Sequence, residues 1–404
     1  MFLYPWQQQN LVVRSDPDRC ARINKKSLRM GSGAKSLTPI AALSPSAEVP
    51  LRPAAALAQL GKVALPRAGM GVWGHVSRWS WIQHLWAFAE PAPGRSLRLR
   101  PEARLSVGRQ KGQLSEQLGI ALGLSVVEHI LKEGRRDIAI SIVDADVALA
   151  LGQLEGHFVQ HLPQRLSRPD YFVLRRFRGS PQIEIFALEC KGGEPSIATL
   201  ATAARQLHGV GVVTPNGPVP PPGFLTAATF RKDAIVIDAF DPEGDGVWNG
   251  PAAPRFAPRE VVGERYGSKG VVDPMGFRRV LLAAEEIALM LIAGRLFVEG
   301  EFYLPPNPPL RRETSLGDFE GSRAILSLSP STDAEVFFGV HTGIITAILT
   351  DEDESIDAAR ARLVDRLFER FDEPGFAEVE EEEAMVVRED GVMLQARLIR
   401  HRTY

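Results

Sequence analysis

Apolar residues recur at helical spacing from Leu114 onward. Leu118, Ala121, Leu122, Val126 and Ile130 share one face with the small Ser125. The pattern predicts a helix over 113–131, ended by Gly134. The period then changes. Residues 138–143 are rich in β-branched side chains and predict a strand, and a second helix is expected over 147–158. Two further runs, 171–177 and 182–190, are joined by the Gly-Ser-Pro turn at 179–181, which predicts a hairpin. The second of these strands is apolar on both faces, with Ile183, Ile185 and Ala187 on one and Phe186, Leu188 and Cys190 on the other. A strand of that kind is central in a covered sheet. A helix is expected over 196–208 and a strand over 234–240. Helix, strand, helix, hairpin, helix, strand is the order of an α/β fold, a mixed central sheet flanked by helices.

The flanks read differently. Up to about residue 70, Pro, Ser, Gly and Ala interrupt every short apolar run, and a partly irregular extension is expected there. Trp73, Trp79, Trp81 and Trp86 follow in a short space and are read as local core. Residues 241–270 are rich in Gly, Pro and Asp and mark a boundary. Beyond it come an apolar helix over 275–298 and strands at 324–328, 335–340 and 344–349. A helix over 358–371 and a hairpin at 385–397, turning at Asp390-Gly391, complete an additional α+β C-terminal region. The expected domains are therefore 1–95 (extension), 96–245 (α/β core) and 246–404 (α+β region of unassigned role).

Composition narrows the class. The 404 residues are 45% hydrophobic and 24% charged, which is globular and excludes a wholly disordered or fibrous chain. Two cysteines, Cys20 and Cys190, exclude a disulfide framework and fit a reducing compartment. The first ten residues show no basic stretch ahead of an apolar one. Glu285 and Glu286 interrupt the apolar run at 280–293. A cytoplasmic protein with no membrane span is expected. The net charge of −2 hides an asymmetry, because 351–390 holds 16 acidic and 5 basic residues. The rest of the chain is mildly basic, which suits a nucleic-acid partner; a solvated acidic helix and loop explains the same numbers.

The chemistry gathers in two short segments, Arg168-Pro-Asp-Tyr and Leu188-Glu-Cys-Lys-Gly-Gly. Eighteen residues separate Asp170 from Glu189. Glu189 and Lys191 are two apart on a strand, so they point to one face. A carboxylate and an ammonium at the end of an otherwise apolar strand are costly without partners. Asp170, opening the neighbouring strand, can lie beside Glu189. Two carboxylates and a lysine at one sheet end make a plausible site for Mg²⁺ or Mn²⁺, which favour oxygen ligands. A structural ion pair at a sheet end is the plainer alternative. Arg168, Arg175, Arg176 and Arg178 flank the Asp170 strand and suit either a phosphate backbone or a solvated face. His157 and His161, four apart, read as a surface pair.

These residues resemble the PD-(D/E)xK nuclease superfamily, which includes restriction endonucleases and RecB-type nucleases. The family pattern of Pro-Asp on one strand and (Asp/Glu)-x-Lys on the next is matched by Pro169-Asp170 and Glu189-Cys190-Lys191. The resemblance covers roughly 110–240. It implies a restriction-endonuclease-like mixed central sheet and metal-dependent hydrolysis of phosphodiester bonds, in DNA, with Mg²⁺ or Mn²⁺ as cofactor. It implies that Asp170, Glu189 and the Cys190 carbonyl bind metal and that Lys191 positions the attacking water. Glu116, on the preceding helix, would complete the acidic cluster, and Gln206, on the following one, would support water or substrate. Val210 stands where RecB-type members carry an aromatic. Relatives of this kind serve restriction, phage defence or repair. A homodimer, or a partner protein bound through the flanks, is compatible with this reading. The rival is a non-catalytic nucleic-acid-binding or assembly subunit that has kept the fold.

Overall fold

The computed structural model describes residues 3–30, 36–64, 79–105, 108–132, 134–148, 160–161, 168–178, 183–207, 210–214, 217–219, 221–242, 274–298, 301–303, 309–329, 331–350, 353–371, 376–379 and 382–400. The chain is mixed α/β and forms two compact units. One combines Asn10–Val49 with Arg95–Glu285; the other combines Met1–Gln9, Pro50–Gly94 and Glu286–Tyr404.

The first unit is built on an eight-stranded mixed sheet. Its strands are β1 (Gln9–Arg14), β2 (Leu37–Pro39), β3 (Ser46–Leu51), β4 (Ile138–Asp144), β5 (Tyr171–Phe177), β6 (Ile183–Lys191), β7 (Gly223–Phe230) and β8 (Ile235–Pro242). Their order is β3-β1-β8-β7-β6-β5-β4, with β2 also paired to β8. β4, β5 and β6 make an antiparallel meander, and β7 adds to it parallel to β6. β8 runs antiparallel to β7, and β1 lies parallel to β8.

Helices cover both faces. They are α1 (Pro17–Arg29), α2 (Gly108–Lys132) and α3 (Ile197–Gln206). α2 lies on one face, where a Cβ on Gly123 would meet Thr226 and Cys190. On the other face Cys20 and Ile23 of α1 and Leu200, Ala201 and Ala204 of α3 are buried with Ala187, Leu225, Ala227 and Phe240. The helix Pro274–Ile292 extends that layer, with Val280, Leu281 and Ala284 packed with Phe172, Leu174 and Ile185. Each large aliphatic side chain buried this way contributes about 1.5–3 kcal/mol. One polar contact sits inside the layer. Ser141 Oγ donates to Glu285 at 2.6 Å, and Arg176 donates to Ser141 Oγ at 3.1 Å.

The α/β expectation holds for this unit, but the domain limits do not. Residues 10–49, expected as an irregular extension, supply three strands and a helix to the unit. Their runs are short because each is completed by a partner far along the chain: Val12 pairs with Val236. The helix expected over 147–158 is helical at 145–148, and 149–159 lies outside the described residues. His161 is in a two-residue strand paired to Val210, while His157 lies outside the described residues. Of the described helices, the one apolar and long enough to cross a membrane is Gln110–Lys132, not 280–293. Gly119 and Gly123 bring this helix against the sheet, as befits a core helix.

The second unit carries a six-stranded antiparallel sheet, in the order Leu310–Thr314, Gly317–Ser329, Thr332–His341, Val392–Arg400, Glu383–Val387, Phe376–Val379. The hairpin at Asp390-Gly391 forms as expected, with Gly391 at φ 84°. Trp81 is buried, 5.1 Å from Phe338 edge to face, so this tryptophan is core. Two expectations fail here. The helix over 275–298 ends at Ile292, because Gly294 takes φ 85° and the chain turns into the strand Leu296–Val298. Residues 344–349, expected as a strand, form the helix Thr342–Leu349, capped by His341 Nδ1 accepting from Gly343 N at 3.1 Å. Ile344, Ile345, Ala347 and Ile348 are buried, and only Thr346 breaks the apolar run at 344–349, which leaves too little pattern to separate helix from strand.

A buried ion pair holds the hairpin turn. Lys62, from the helix Pro53–Ala64, donates to Asp390 Oδ2 at 2.8 Å, and Arg388 Nε stands 3.4 Å from Oδ1. Burial alone would raise the Asp390 pKa, but Arg388 and Lys62 outweigh it and hold the carboxyl well below the usual range. Its contribution to stability is therefore complete above the unfolded-state pKa of about 3.9 and is lost as pH falls toward the depressed folded value. Asp390→Ala is expected to cost about 3–5 kcal/mol by leaving Lys62 buried without its counter-charge. Asp390→Asn should flatten the acid limb of stability below about pH 4. Urea denaturation of the full chain across that range checks both.

Candidate active site

The end of β6 carries the chemistry because its neighbours hold it there. Asp170 immediately precedes β5, and β5 pairs with β6 so that Tyr171 faces Leu188. The register sets Asp170 beside Glu189, and the two residues interlock. Asp170 N donates to Glu189 Oε2 at 3.0 Å, and Cys190 N donates to Asp170 Oδ2 at 3.0 Å. Each carboxylate thus accepts a main-chain N–H from the partner strand or its approach. Lys191 completes the group. Its ammonium bonds Glu189 Oε1 directly and lies 3.9 Å from Asp170 Oδ2.

Burial grades across the three residues. The Glu189 side chain has 0% exposure, Lys191 25% and Asp170 30%. Burial, and next the charge of Asp170, push the Glu189 carboxyl up to about 8, although Lys191 and the Asp170 amide pull the other way. Burial works against the charge on Lys191, but Glu189 and Asp170 outweigh it and raise its pKa. The ammonium therefore stays charged.

The residue between them faces the other side. Cys190 is buried, and its Sγ accepts from Thr226 Oγ1 at 3.2 Å beneath α2. Burial drives its thiol well above the ordinary range, so it is a core group and not a nucleophile.

The structure brings Asp170, Glu189, Cys190 and Lys191 together, and it places two other predicted residues on the helices that precede and follow the hairpin. Glu116 lies on α2 next to the strand end: a Cβ on Gly192 would stand 2.9 Å from the Glu116 Cα. It approaches from the opposite face of the sheet and is exposed. Among the described residues no group of three His, Cys, Asp or Glu side chains is close enough to hold one ion. Glu116 is not gathered with Asp170 and Glu189 into such a group. Gln206 is the last residue of α3. That helix begins six residues after Lys191.

The flanking arginines also resolve. Arg175 is paired to Glu184 at 3.1 Å, Arg176 bonds Ser141, and Arg168 contacts Asp146. Arg175 and Arg176 thus serve the sheet and are not free for a phosphate backbone. What sequence reasoning missed is Arg14, Arg19 and Asp238, which line up with this strand end across the sheet. No short-range signal joins them, since Arg14 and Asp238 are 224 positions apart.

The donor set suits a hard divalent cation. It offers two carboxylates and a main-chain carbonyl, all oxygen, with the thiol turned away. Mg²⁺ is commonly held by one or two carboxylates, the remaining positions going to water and substrate phosphate. No protein-family model, curated protein or solved structure matches the chain.

The glycines after Lys191 fix the site's position. Gly193 takes φ 77°, turning the chain toward α3. Gly192 has no room for a side chain, because a Cβ would stand 2.1 Å from the Ser115 carbonyl oxygen. Gly192→Ala is expected to push α2 off the strand end, costing about 1–3 kcal/mol as overpacking does. A thermal melt of the variant checks this.

Proposed function

We propose that the chain is a metal-dependent nuclease that hydrolyses phosphodiester bonds in DNA, and that its mixed-sheet unit has the restriction-endonuclease-like fold of the PD-(D/E)xK superfamily. The observation that carries this reading is the interlock of Asp170 and Glu189, with Lys191 against both, at one end of the sheet. The order α2, β4, β5, β6, α3, β7 supports it. So does the register, which sets the Pro-Asp segment beside the Glu-x-Lys segment across one hairpin.

Asp170, Glu189 and the Cys190 carbonyl would hold the cation. When bound, such an ion polarises a phosphate and acidifies water. The chain's own groups do the rest. The interlocked main-chain bonds keep both carboxylates in place, so the site needs little reorganisation on binding. Lys191 is buried enough to be oriented by Glu189 and exposed enough to meet solvent. Its charged ammonium can orient the attacking water and offset negative charge that grows on the phosphate in the transition state. The covered sheet end limits water around these groups and strengthens each electrostatic contact.

The test is nicking of supercoiled plasmid with Mg²⁺ or Mn²⁺. Wild type is expected to cut, and Lys191→Ala and Asp170→Ala to lose about 10²-fold or more of the rate, the scale for removing a transition-state electrostatic group. Unchanged cutting in both variants would move the chemistry elsewhere. Binding without cutting by wild type would favour the non-catalytic binding subunit.

A further inference from the structure

The row of the sheet that ends in Lys191 continues into the N-terminal segment. Lys191 is the register partner of Ala227, Ala227 of Asp238, and Asp238 of Arg14. Register partners point to one face of a sheet, so Arg14, Asp238 and Lys191 share the face that α1 and α3 cover. Three strand spacings of about 4.8 Å put Arg14 about 14 Å from Lys191. Asp238 has no exposed surface and is held by two arginines. Arg14 donates to it at 3.0 and 3.2 Å, and Arg19 Nη1 stands 3.1 Å from Oδ2. These contacts fix the first turn of α1 over the sheet.

A cavity of about 310 Å³ opens between the starts of α1 and α3. Asp16, Asp18, Arg19 and Arg22 line it from α1, and Ser196 and Ile197 from α3. Both helix starts are already capped. Asp16 Oδ1 accepts from Asp18 N and Arg19 N at 2.8 and 3.3 Å, and Ser196 Oγ accepts from Thr199 N at 3.1 Å. Capacity for an anion therefore falls to the arginines. Arg19 Nε is buried and has no hydrogen-bond acceptor. That atom is out of solvent's reach, so Arg19 contributes charge to the cavity wall and not this N–H. Arg22 is exposed, and no hydrogen bond or ion pair engages it among the described residues. Asp18, exposed on the same wall, gives the cavity an acceptor. A wall of both signs suits a ligand that brings an anion together with hydrogen-bond donors, as a nucleotide does.

We propose that this cavity seats a phosphate of the nucleic-acid strand engaged at Asp170, Glu189 and Lys191, with the exposed Arg22 as its donor. The inference rests on the nuclease reading above. None of Asp170, Glu189 and Lys191 lines this cavity, so this phosphate sets the strand's path and takes no part in the reaction. Arg22 is thus a positioning residue.

The test uses the full chain in EDTA, where nothing is cut, and a fluorescein-labelled oligonucleotide titrated at several salt concentrations. Arg22→Gln changes an exposed side chain, and its thermal melt should match wild type. It is expected to weaken binding about tenfold and to flatten the slope of log K against log salt by about one. Arg22→Lys should restore most of the slope. Oligonucleotides with and without a 5′-phosphate separate the two sources of the anion. A loss confined to the phosphorylated strand assigns a terminal phosphate, and an equal loss on both assigns an internal diester. If Arg22→Gln binds both strands with wild-type affinity and slope, this proposal is overturned while plasmid cutting stands. A wild type that neither binds nor cuts nucleic acid overturns the nuclease reading itself.

Discussion

A carboxylate with no exposed surface, Glu189, stands near the end of a central strand of the mixed sheet, and the local geometry is what makes it tolerable. An isolated charge there would be neutralised or expelled. The residual cost shows in a carboxyl pushed up to about 8. That corresponds to a penalty on the order of 5 kcal/mol for the ionised form relative to an exposed glutamate. The Asp170 amide and the Lys191 ammonium keep the penalty from being larger. Apolar residues of similar shape would make a more stable sheet end. A chain that keeps a charge in such a place is violating a local rule, and such violations concentrate at functional sites.

That one buried group constrains the register of everything around it. A slip of one residue along β6 would send Glu189 to the α2 face and Cys190 to the charged one. The α2 face has no room for it, since Gly123 already lies against Thr226 and Cys190 without a side chain of its own. The parity of the strand therefore sorts chemistry from packing. Odd positions Glu189 and Lys191 meet Asp170; even positions Leu188 and Cys190 meet core. The glycine pair Gly119 and Gly192 then lets α2 touch the strand end, backbone to backbone. This close approach brings Glu116 beside the strand end.

Much of this was legible in the sequence, and the reasons are local. β5 and β6 were expected at 171–177 and 182–190 and occur at Tyr171–Phe177 and Ile183–Lys191, because a central strand writes its burial on both faces. The Asp170, Glu189 and Lys191 group follows from period two and one hairpin. What could not be read depends on partners far along the chain or on missing period. β1 has meaning only beside β8, and Arg14 only beside Asp238. The helix at Thr342–Leu349 has a single polar residue, Thr346, inside its apolar run at 344–349, too little pattern to oppose a strand.

Residues 10–49 are integral to the candidate site's sheet and not an appendage. Without β1, β8 would present an open edge, a liability for any sheet. More pointedly, Asp238 on β8 would lose Arg14 and Arg19, the two cations that stand against it in the fold. Breaking a buried pair by removing one side costs about 3–5 kcal/mol, a large part of the stability of an ordinary domain. β8 in turn holds β7, and β7 is the parallel neighbour that covers the Lys191 end of β6. The charge that makes the site is therefore supported by a second buried charge two strands away. Asp238 is tolerated because a segment from the far end of the unit closes on it, and Glu189 because Asp170 and Lys191 stand against it.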